Sequence, residues 1–232
     1  MSESTVRDKV LFGLAGFAAI LLTWNLHTIF LVMPDELNQG AIWRIFFFHV
    51  PAALLGLTGF GLGMIFSLTY LFTNNLRYDA IAESIIEVAL VFAAVNLVTG
   101  SIWARIIWGI WWAWDARLTS MLVCWLIFAG YLMLRRAIDE PTQRARLSAV
   151  VSIFGAVDVV IVWKSIEWWR TQHPAPVLSI RNGGGMDPGM ESTMYWNLLA
   201  LFCFAVVLVM VRMRQARISQ EIDSLRRLAH SY

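Results

Sequence analysis

Residues 118–138 read LTSMLVCWLIFAGYLMLRRAI, with no charged side chain between Leu118 and Leu134. A helix that crosses a bilayer needs about 20 consecutive, mostly apolar residues. The stretch therefore predicts a transmembrane helix. It decides the fold because five further stretches have the same character, at about 10–33, 44–73, 80–104, 147–167 and 194–213.

The composition of the whole chain agrees with this prediction. Of its 232 residues, 59% are hydrophobic and 15% are charged, whereas soluble domains carry about 25% charged residues. We expect an all-α, polytopic membrane protein in which residues 1–232 form one integral membrane domain, a bundle of six transmembrane helices. The net charge of +2 does not suggest nucleic-acid binding.

Several enzyme classes lack their motifs in this sequence. It contains neither a Walker motif nor a Gly-rich phosphate loop, so we expect no ATPase activity and classify the chain as a non-enzyme. Its two cysteines, Cys124 and Cys203, form no C-x-x-C pair and lie in apolar runs. We interpret them as inert core residues.

Basic residues predict the orientation of the spans. The side richer in Lys and Arg is normally cytoplasmic. Twelve of the 18 fall on one side: Arg7, Lys9, Arg77, Arg135, Arg136, Arg144, Arg146, Arg212, Arg214, Arg217, Arg226 and Arg227. The other side has Arg44, Arg105, Arg117, Lys164, Arg170 and Arg181. Both termini are then cytoplasmic, and the first span is a retained helix, because no small-residue cleavage pattern follows it.

This orientation sorts the connections. The segment 105–117 and the loops 34–43 and 168–193 are external; the last contains the turn-rich RNGGGMDPG. Residues 214–232 are expected to form a short basic helix that leaves the membrane on the cytoplasmic side. We interpret this tail as contacting anionic lipid headgroups rather than as a specific partner site.

The external segment 105–117 is unusually rich in tryptophan. Trp108, Trp111, Trp112 and Trp114 lie within seven residues, directly before Asp115, and Trp103 precedes them. The density indicates an exposed aromatic platform for a large flat apolar partner. An aromatic belt that anchors a helix at the headgroups is the alternative.

Two histidines flank this segment on the external side. His49 starts the second span, where Pro51 fits the first turn of a helix, and His173 follows the fifth span. Imidazole is the commonest haem-iron ligand, and indole rings suit a porphyrin face or edge. Haem propionates could pair with guanidinium groups, here those of Arg105, Arg117 or Arg170. The pattern favours an external haem site with His49 and His173 as iron ligands.

Other polar residues have plainer explanations. His49 could instead cap or hydrogen-bond locally, and His27 lacks comparable surroundings. Asp158 is an ionisable group inside a span, a costly and often functional position. A neutral Asp158 hydrogen-bonded to a neighbouring helix is at least as consistent with the sequence, with Asn96 or Glu87 of the third span as candidate partners. The Gly59 and Gly63 pair indicates helix packing.

At this point the motifs resemble a known family. The segment WGIWWAWDARLTS (108–120) is similar to the tryptophan-rich WWD signature of the haem-handling proteins of cytochrome c biogenesis. The six spans, with RIFFFHVPAA (44–53), LVTGSIW (97–103), SIEWWRTQH (165–173) and RMR (212–214), resemble the small haem exporter protein C family (CcmC or HelC). The resemblance covers nearly the whole chain.

The resemblance implies a function and partners. Family members hold haem b at the periplasmic face of the bacterial inner membrane and present it to the haem chaperone CcmE. They work beside the transporter subunits CcmA, CcmB and CcmD. Carried over by motif, His49 and His173 would be the axial ligands. Trp108, Gly109, Trp111, Trp112, Trp114 and Asp115 would form the platform for haem and chaperone, with Arg117 among the haem-binding residues.

Two other classes of function stay open at this stage. A b-type electron carrier would use histidine pairs within helices to hold haem inside the membrane, and redox cycling with quinol would indicate it. A purely structural transporter subunit would use the tryptophan segment only as an anchor, and would purify without haem.

Overall fold

The computed structural model describes residues 3–174 and 186–230, and these form helices and connecting turns. No strand occurs among the described residues; one isolated bridge joins Glu36 and Gly40. The helices are α1 (Glu3–His27), α2 (Phe46–Thr73), α3 (Leu76–Ile107), α4 (Ala116–Ala137), α5 (Pro141–Trp168) and α6 (Pro188–His230). A π-helical turn (Thr28–Val32) extends α1, and a 3₁₀ turn (Ala41–Ile45) leads into α2.

Within the described residues, six helical segments are long and apolar enough to cross a membrane. They are Val6–Val32, Ala41–Thr73, Leu76–Ile107, Ala116–Ala137, Pro141–Trp168 and Pro188–Ser219. The prediction of an all-α, polytopic membrane protein with six spans is confirmed.

The observed helices are longer than the predicted spans and include parts of the predicted connections. Because α3 continues to Ile107 and α4 starts at Ala116, only residues 108–115 of the predicted external segment 105–117 lie between the two helices. The end of the 168–193 loop is helical, because α6 starts at Pro188. Asp187 accepts a hydrogen bond from Gly189 N at 2.8 Å, and proline suits a first helical position. Residues 175–185 of this predicted loop, including Arg181, lie outside the described residues.

The tail 214–232 is helical as far as His230, as predicted. Helix α6 continues from the last span without a break to His230. Near the membrane end of this extension, Arg214 donates to Asp8 of α1 at 2.8 Å.

The closest helix packing joins α2 and α3. A Cβ built at Gly59 would lie 2.6 Å from Ala89 Cβ, and one at Gly63 would overlap Ile86. Only glycine permits this approach, so the helix-packing role predicted for Gly59 and Gly63 is confirmed. On the same core, Phe60 of α2 stacks on Phe128 of α4 with ring centroids 3.8 Å apart.

Pro51 lies in the second turn of α2, so the first-turn position predicted for it is wrong. The preceding 3₁₀ turn and Phe46 start the helix earlier. Proline has no N–H to give to the carbonyl four residues back, which here is that of Phe47. Asn197 of α6 supplies the missing donor, with Nδ2 at 2.6 Å from Phe47 O. Asn197 therefore ties α6 to the start of α2 through the carbonyl that Pro51 leaves free.

One end of the bundle is held by buried charges. Arg135 of α4 donates to both carboxylate oxygens of Asp79 of α3, at 2.6 and 2.8 Å, and to Glu83 at 2.8 Å. Removing one member of a buried pair typically costs about 3–5 kcal/mol. The other end of α3 approaches the start of α2, the start of α4 and the residues after α5. We call this the tryptophan end, and the candidate site lies there.

Candidate functional site

His49 lies at the tryptophan end in the first turn of α2 and is held by α3. Its Nδ1 is 3.0 Å from Thr99 Oγ1. The ring lies against Gly100, where a Cβ would be 2.9 Å from His49 Cε1. Asn96 Nδ2 donates to His49 O at 3.2 Å. Three residues on one face of α3 therefore fix the ring and its backbone.

The partners of His49 determine which ring nitrogen carries the proton. The Thr99 hydroxyl donates to Val95 O at 2.7 Å, so it accepts from His49 Nδ1–H. Asn96 Nδ2 is 3.3 and 3.2 Å from the two ring nitrogens. An atom at nearly equal distances from both nitrogens would overlap Cε1 if it lay in the ring plane. Asn96 Nδ2 therefore lies over the face of the His49 ring. The Nε2 lone pair of His49 remains available in the ring plane.

His173 lies in the loop that follows α5. Its Nδ1–H donates to Pro174 O at 2.9 Å, and since a carbonyl can only accept, Nε2 carries the lone pair. The backbone N–H of His173 donates to Thr171 Oγ1 at 3.0 Å. Metal-binding histidines usually donate their second ring N–H to a carbonyl or another acceptor. Both His49 and His173 have this arrangement.

The structure brings the two imidazoles together. Their ring centroids are 6.4 Å apart, and the ring planes differ by 29°. Imidazole–metal bonds are about 2.0–2.1 Å long, so two imidazoles on opposite sides of one metal have centroids roughly 6.3 Å apart. The observed centroid separation is close to this value.

The environment of His173 favours its neutral form. Burial lowers the pKa of His173 below its ordinary 6.5; the hydrogen bond to Pro174 raises it in part, and Arg117 lowers it again. Because a metal binds the deprotonated nitrogen, His173 is a competent ligand at neutral pH.

Asp115 joins the tryptophan segment to the loop of His173. Its Oδ1 accepts from Leu118 N at 2.9 Å and caps α4. Its Oδ2 accepts from Thr171 Oγ1 at 2.5 Å and from Gln172 N at 3.1 Å. One carboxylate thus starts a helix and holds a loop.

The tryptophans differ in exposure. The turn after α3 uses Gly109 at φ +76°, a conformation that favours glycine. Trp111 and Trp114 are 60% and 78% exposed, respectively. Trp112 is half-buried and meets Trp114 edge to face at 5.9 Å. The exposed pair forms the outer surface of the segment.

The inner part of the segment is anchored to the bundle. Trp108 packs edge to face on Trp103 at 5.0 Å. Trp103 Nε1 donates to Gln39 Oε1 at 2.8 Å, which ties the segment to the loop before α2.

The candidate arginines occupy different positions. Arg117 of α4 donates to Val162 O of α5, inside the bundle. Arg105 donates to Gly109 O and is exposed at the end of α3. Arg170 is exposed and lines a shallow cleft with Trp114, Asp115 and Thr171.

Other titratable groups lie apart from this arrangement. No group of three or more His, Cys, Asp or Glu suited to a metal ion occurs within residues 3–174 and 186–230. Cys124 and Cys203 are free thiols buried in the bundle. His27 is exposed at the end of α1.

The sequence did not predict the residues that support the two histidines. Asn96, Thr99 and Gly100 share one face of α3 by their i, i+3 and i+4 spacing, which is the signal that could have found them. Both partners suggested for Asp158 are wrong. Asn96 contacts His49, and Glu87 pairs with Arg212 at 2.5 Å.

Known proteins are similar to this chain over most of its length. A family model described as CcmC, Heme exporter protein C, matches residues 3–228. The chain is 35% identical over 224 residues to Heme exporter protein C of Bradyrhizobium diazoefficiens, covering 96% of this chain and 84% of that protein.

More distant relatives match as well. Heme exporter protein C of Escherichia coli strain K12 is 31% identical over 201 residues, which are 87% of this chain and 81% of that protein. A putative cytochrome c biosynthesis ccmC-like mitochondrial protein of Marchantia polymorpha is 30% identical over 166 residues, 72% of this chain and 70% of that protein.

Proposed function

The chain belongs to the haem exporter protein C family, and we propose that it binds haem b between His49 and His173 and delivers it to the haem chaperone CcmE during maturation of c-type cytochromes. In this proposal haem is cargo. It occupies the periplasmic face of the bacterial inner membrane, and both termini of the chain are cytoplasmic.

The observation that carries the proposal is the pairing of His49 and His173. Porphyrin supplies four nitrogen ligands to iron and leaves two opposite positions, which suit two neutral imidazoles. Both rings present Nε2, since Thr99 and Pro174 take up the Nδ1 protons. The ring separation of 6.4 Å also fits a shared iron.

The surface around the pair supports a role in presentation. Trp111 and Trp114 are exposed, as expected of aromatic anchors for a protein partner, and Trp114 lies beside the loop of His173. We assign the remaining tryptophans, Trp108 and Trp112, and the half-buried Asp115 to shaping the platform. Arg170 and Arg105 are exposed cations suited to haem propionates, whereas Arg117, whose guanidinium is bound to Val162 O, acts on the histidines through its charge.

In this proposal the elements around the site have different roles. Helices α2 and α3 fix one imidazole, the loop after α5 carries the other, and the tryptophan segment faces the chaperone. Bound iron supplies the coordination bonds that retain haem until transfer. The chain binds and orients; energy coupling falls to the partners CcmA and CcmB, with CcmD as a further subunit.

The test is spectroscopic and uses the full chain in detergent. Wild-type protein loaded with haemin should have the absorption spectrum of six-coordinate, bis-imidazole haem, and adding CcmE should transfer haem to the chaperone. The double variant H49A/H173A should lose both properties, and H27A should keep both. An unchanged spectrum in the double variant would refute the ligand assignment.

A further inference from the structure

A single carboxylate links the exposed tryptophans to one imidazole. Asp115 Oδ2 lies 2.5 Å from Thr171 Oγ1, and Thr171 Oγ1 lies 3.0 Å from His173 N. We infer that Asp115, acting through Thr171, is a positioning residue for His173, so that displacement of the tryptophan segment releases this iron ligand. The inference rests on the proposed function.

The hydrogen-bond directions make the connection specific. Thr171 donates its hydroxyl proton to Asp115 and accepts the backbone N–H of His173, while Gln172 N–H donates to the same carboxylate oxygen at 3.1 Å. Hydrogen bonds to a carboxylate are about twice as strong as those between neutral groups. Three successive residues of the loop are thus ordered by one charged group on another segment.

Helix capping does not account for the whole carboxylate. A cap needs one side-chain oxygen, which Ser, Thr or Asn could supply equally well. Oδ1 performs this task by accepting from Leu118 N at 2.9 Å. The second oxygen is directed at the loop, and only a carboxylate can accept from Leu118, Thr171 and Gln172 at once without presenting a donor.

The neighbouring residue gives the connection a use. Trp114, 78% exposed, directly precedes Asp115 in the chain. A chaperone that binds this indole pulls on the backbone of Asp115. Loss of the Thr171 and Gln172 bonds then frees His173, while His49 stays fixed by α3.

Two variants separate the positioning task from the cap. T171V removes the bridging hydroxyl but keeps Asp115. D115S keeps an oxygen that can cap α4, but the serine side chain is too short to reach the loop as well. T171S restores the hydroxyl. D187S is the matched control, because Asp187 caps α6 through Gly189 in the same way.

Two readouts are needed, one with haem and one without it. With haemin, T171V and D115S should show five-coordinate, high-spin iron that returns to low spin on adding imidazole. Their haemin affinity should fall about 10- to 100-fold, the usual effect of losing the partner of a metal ligand. In haem-free protein, amide exchange should accelerate at His173 in T171V and at Gln172 in D115S. T171S and D187S should resemble wild type in both readouts.

The outcomes separate the two claims. If wild type is six-coordinate and T171V and D115S keep its spin state and affinity, the positioning role is refuted and the proposed function stands. If wild type itself lacks the six-coordinate spectrum, the proposed function fails and the ligand role fails with it. Faster exchange in the haem-free variants would then show only that Asp115 orders the loop.

Discussion

The surroundings of His49 and His173 differ although the two rings are 6.4 Å apart. His49 lies inside a helix, packed against Gly100 and bonded to Thr99 and Asn96 of the neighbouring helix. His173 lies in a loop and is ordered by hydrogen bonds that lead to Asp115. The difference indicates a fixed ligand and a releasable one, an arrangement suited to a protein that must first hold its cargo and then give it up.

The largest expected effect comes from breaking the packing that fixes His49. In G100V, the added side chain overlaps a ring that lies 2.9 Å from the position of a Cβ. We expect haemin affinity to fall about 100-fold, the upper range for disturbing a metal ligand. Haemin titration of the purified variant measures this.

The control for G100V is another helical glycine. At Gly130 a Cβ would meet nothing within 4 Å, so G130V should bind haemin as wild type does. Equal affinities of G100V and G130V would contradict the fixed position of His49.

A matched pair of threonine variants compares the two ligands directly. T99V removes the acceptor for His49 Nδ1–H, and T171V removes the acceptor for His173 N–H. Since Gly100 and Asn96 still hold His49, T99V should weaken haemin binding about 10-fold and T171V by more, within the 10- to 100-fold range. A larger loss in T99V than in T171V, measured by the same titration, would reverse the assignment of fixed and releasable ligand.

Removing an exposed indole should affect transfer more than binding. W114A should keep the wild-type haem spectrum, whereas transfer to CcmE should weaken about 30-fold, as for loss of an interface residue worth roughly 2 kcal/mol. W24A is the control, because Trp24 is 69% exposed on α1. Transfer assays with equal rates for W114A and W24A would remove the chaperone-binding role.

The smallest effect concerns protonation of His173. Burial, its largest influence, lowers its pKa below 6.5, and Arg117 contributes in the same direction. A lowered pKa keeps the ring neutral to more acidic pH, so His173 should remain able to bind iron as the pH falls through 6.5. In ¹⁵N-histidine NMR spectra of haem-free protein its titration midpoint should lie below 6.5 and rise in R117Q. A titration midpoint above 6.5 would contradict a dominant effect of burial on the His173 ring.

The fold was largely predictable because each span carries its own signal. Bilayer thickness sets the length of apolar sequence that each transmembrane helix needs, so a run such as residues 118–138 can be recognised without its neighbours. Pro51 was misplaced because the donor that compensates it, Asn197, is 146 positions away in the sequence and visible only after packing.

The site divides in the same way. His49, His173 and the tryptophans stand out by residue type and by their position at span ends. Their supports do not, because Thr99 and Thr171 are ordinary residues whose role depends on which hydroxyl faces which ring. Asp115 was expected on the platform surface, and its bonds to Leu118, Thr171 and Gln172 follow from the meeting of two connections that are distant in sequence.

The most direct test of the account is the spin state of haem iron in the single variants H49A and H173A, measured by absorption and electron paramagnetic resonance after loading with haemin. Both variants should be five-coordinate and high-spin, and added imidazole should return each to low spin. A six-coordinate, low-spin spectrum in either variant without imidazole would contradict ligation by both histidines.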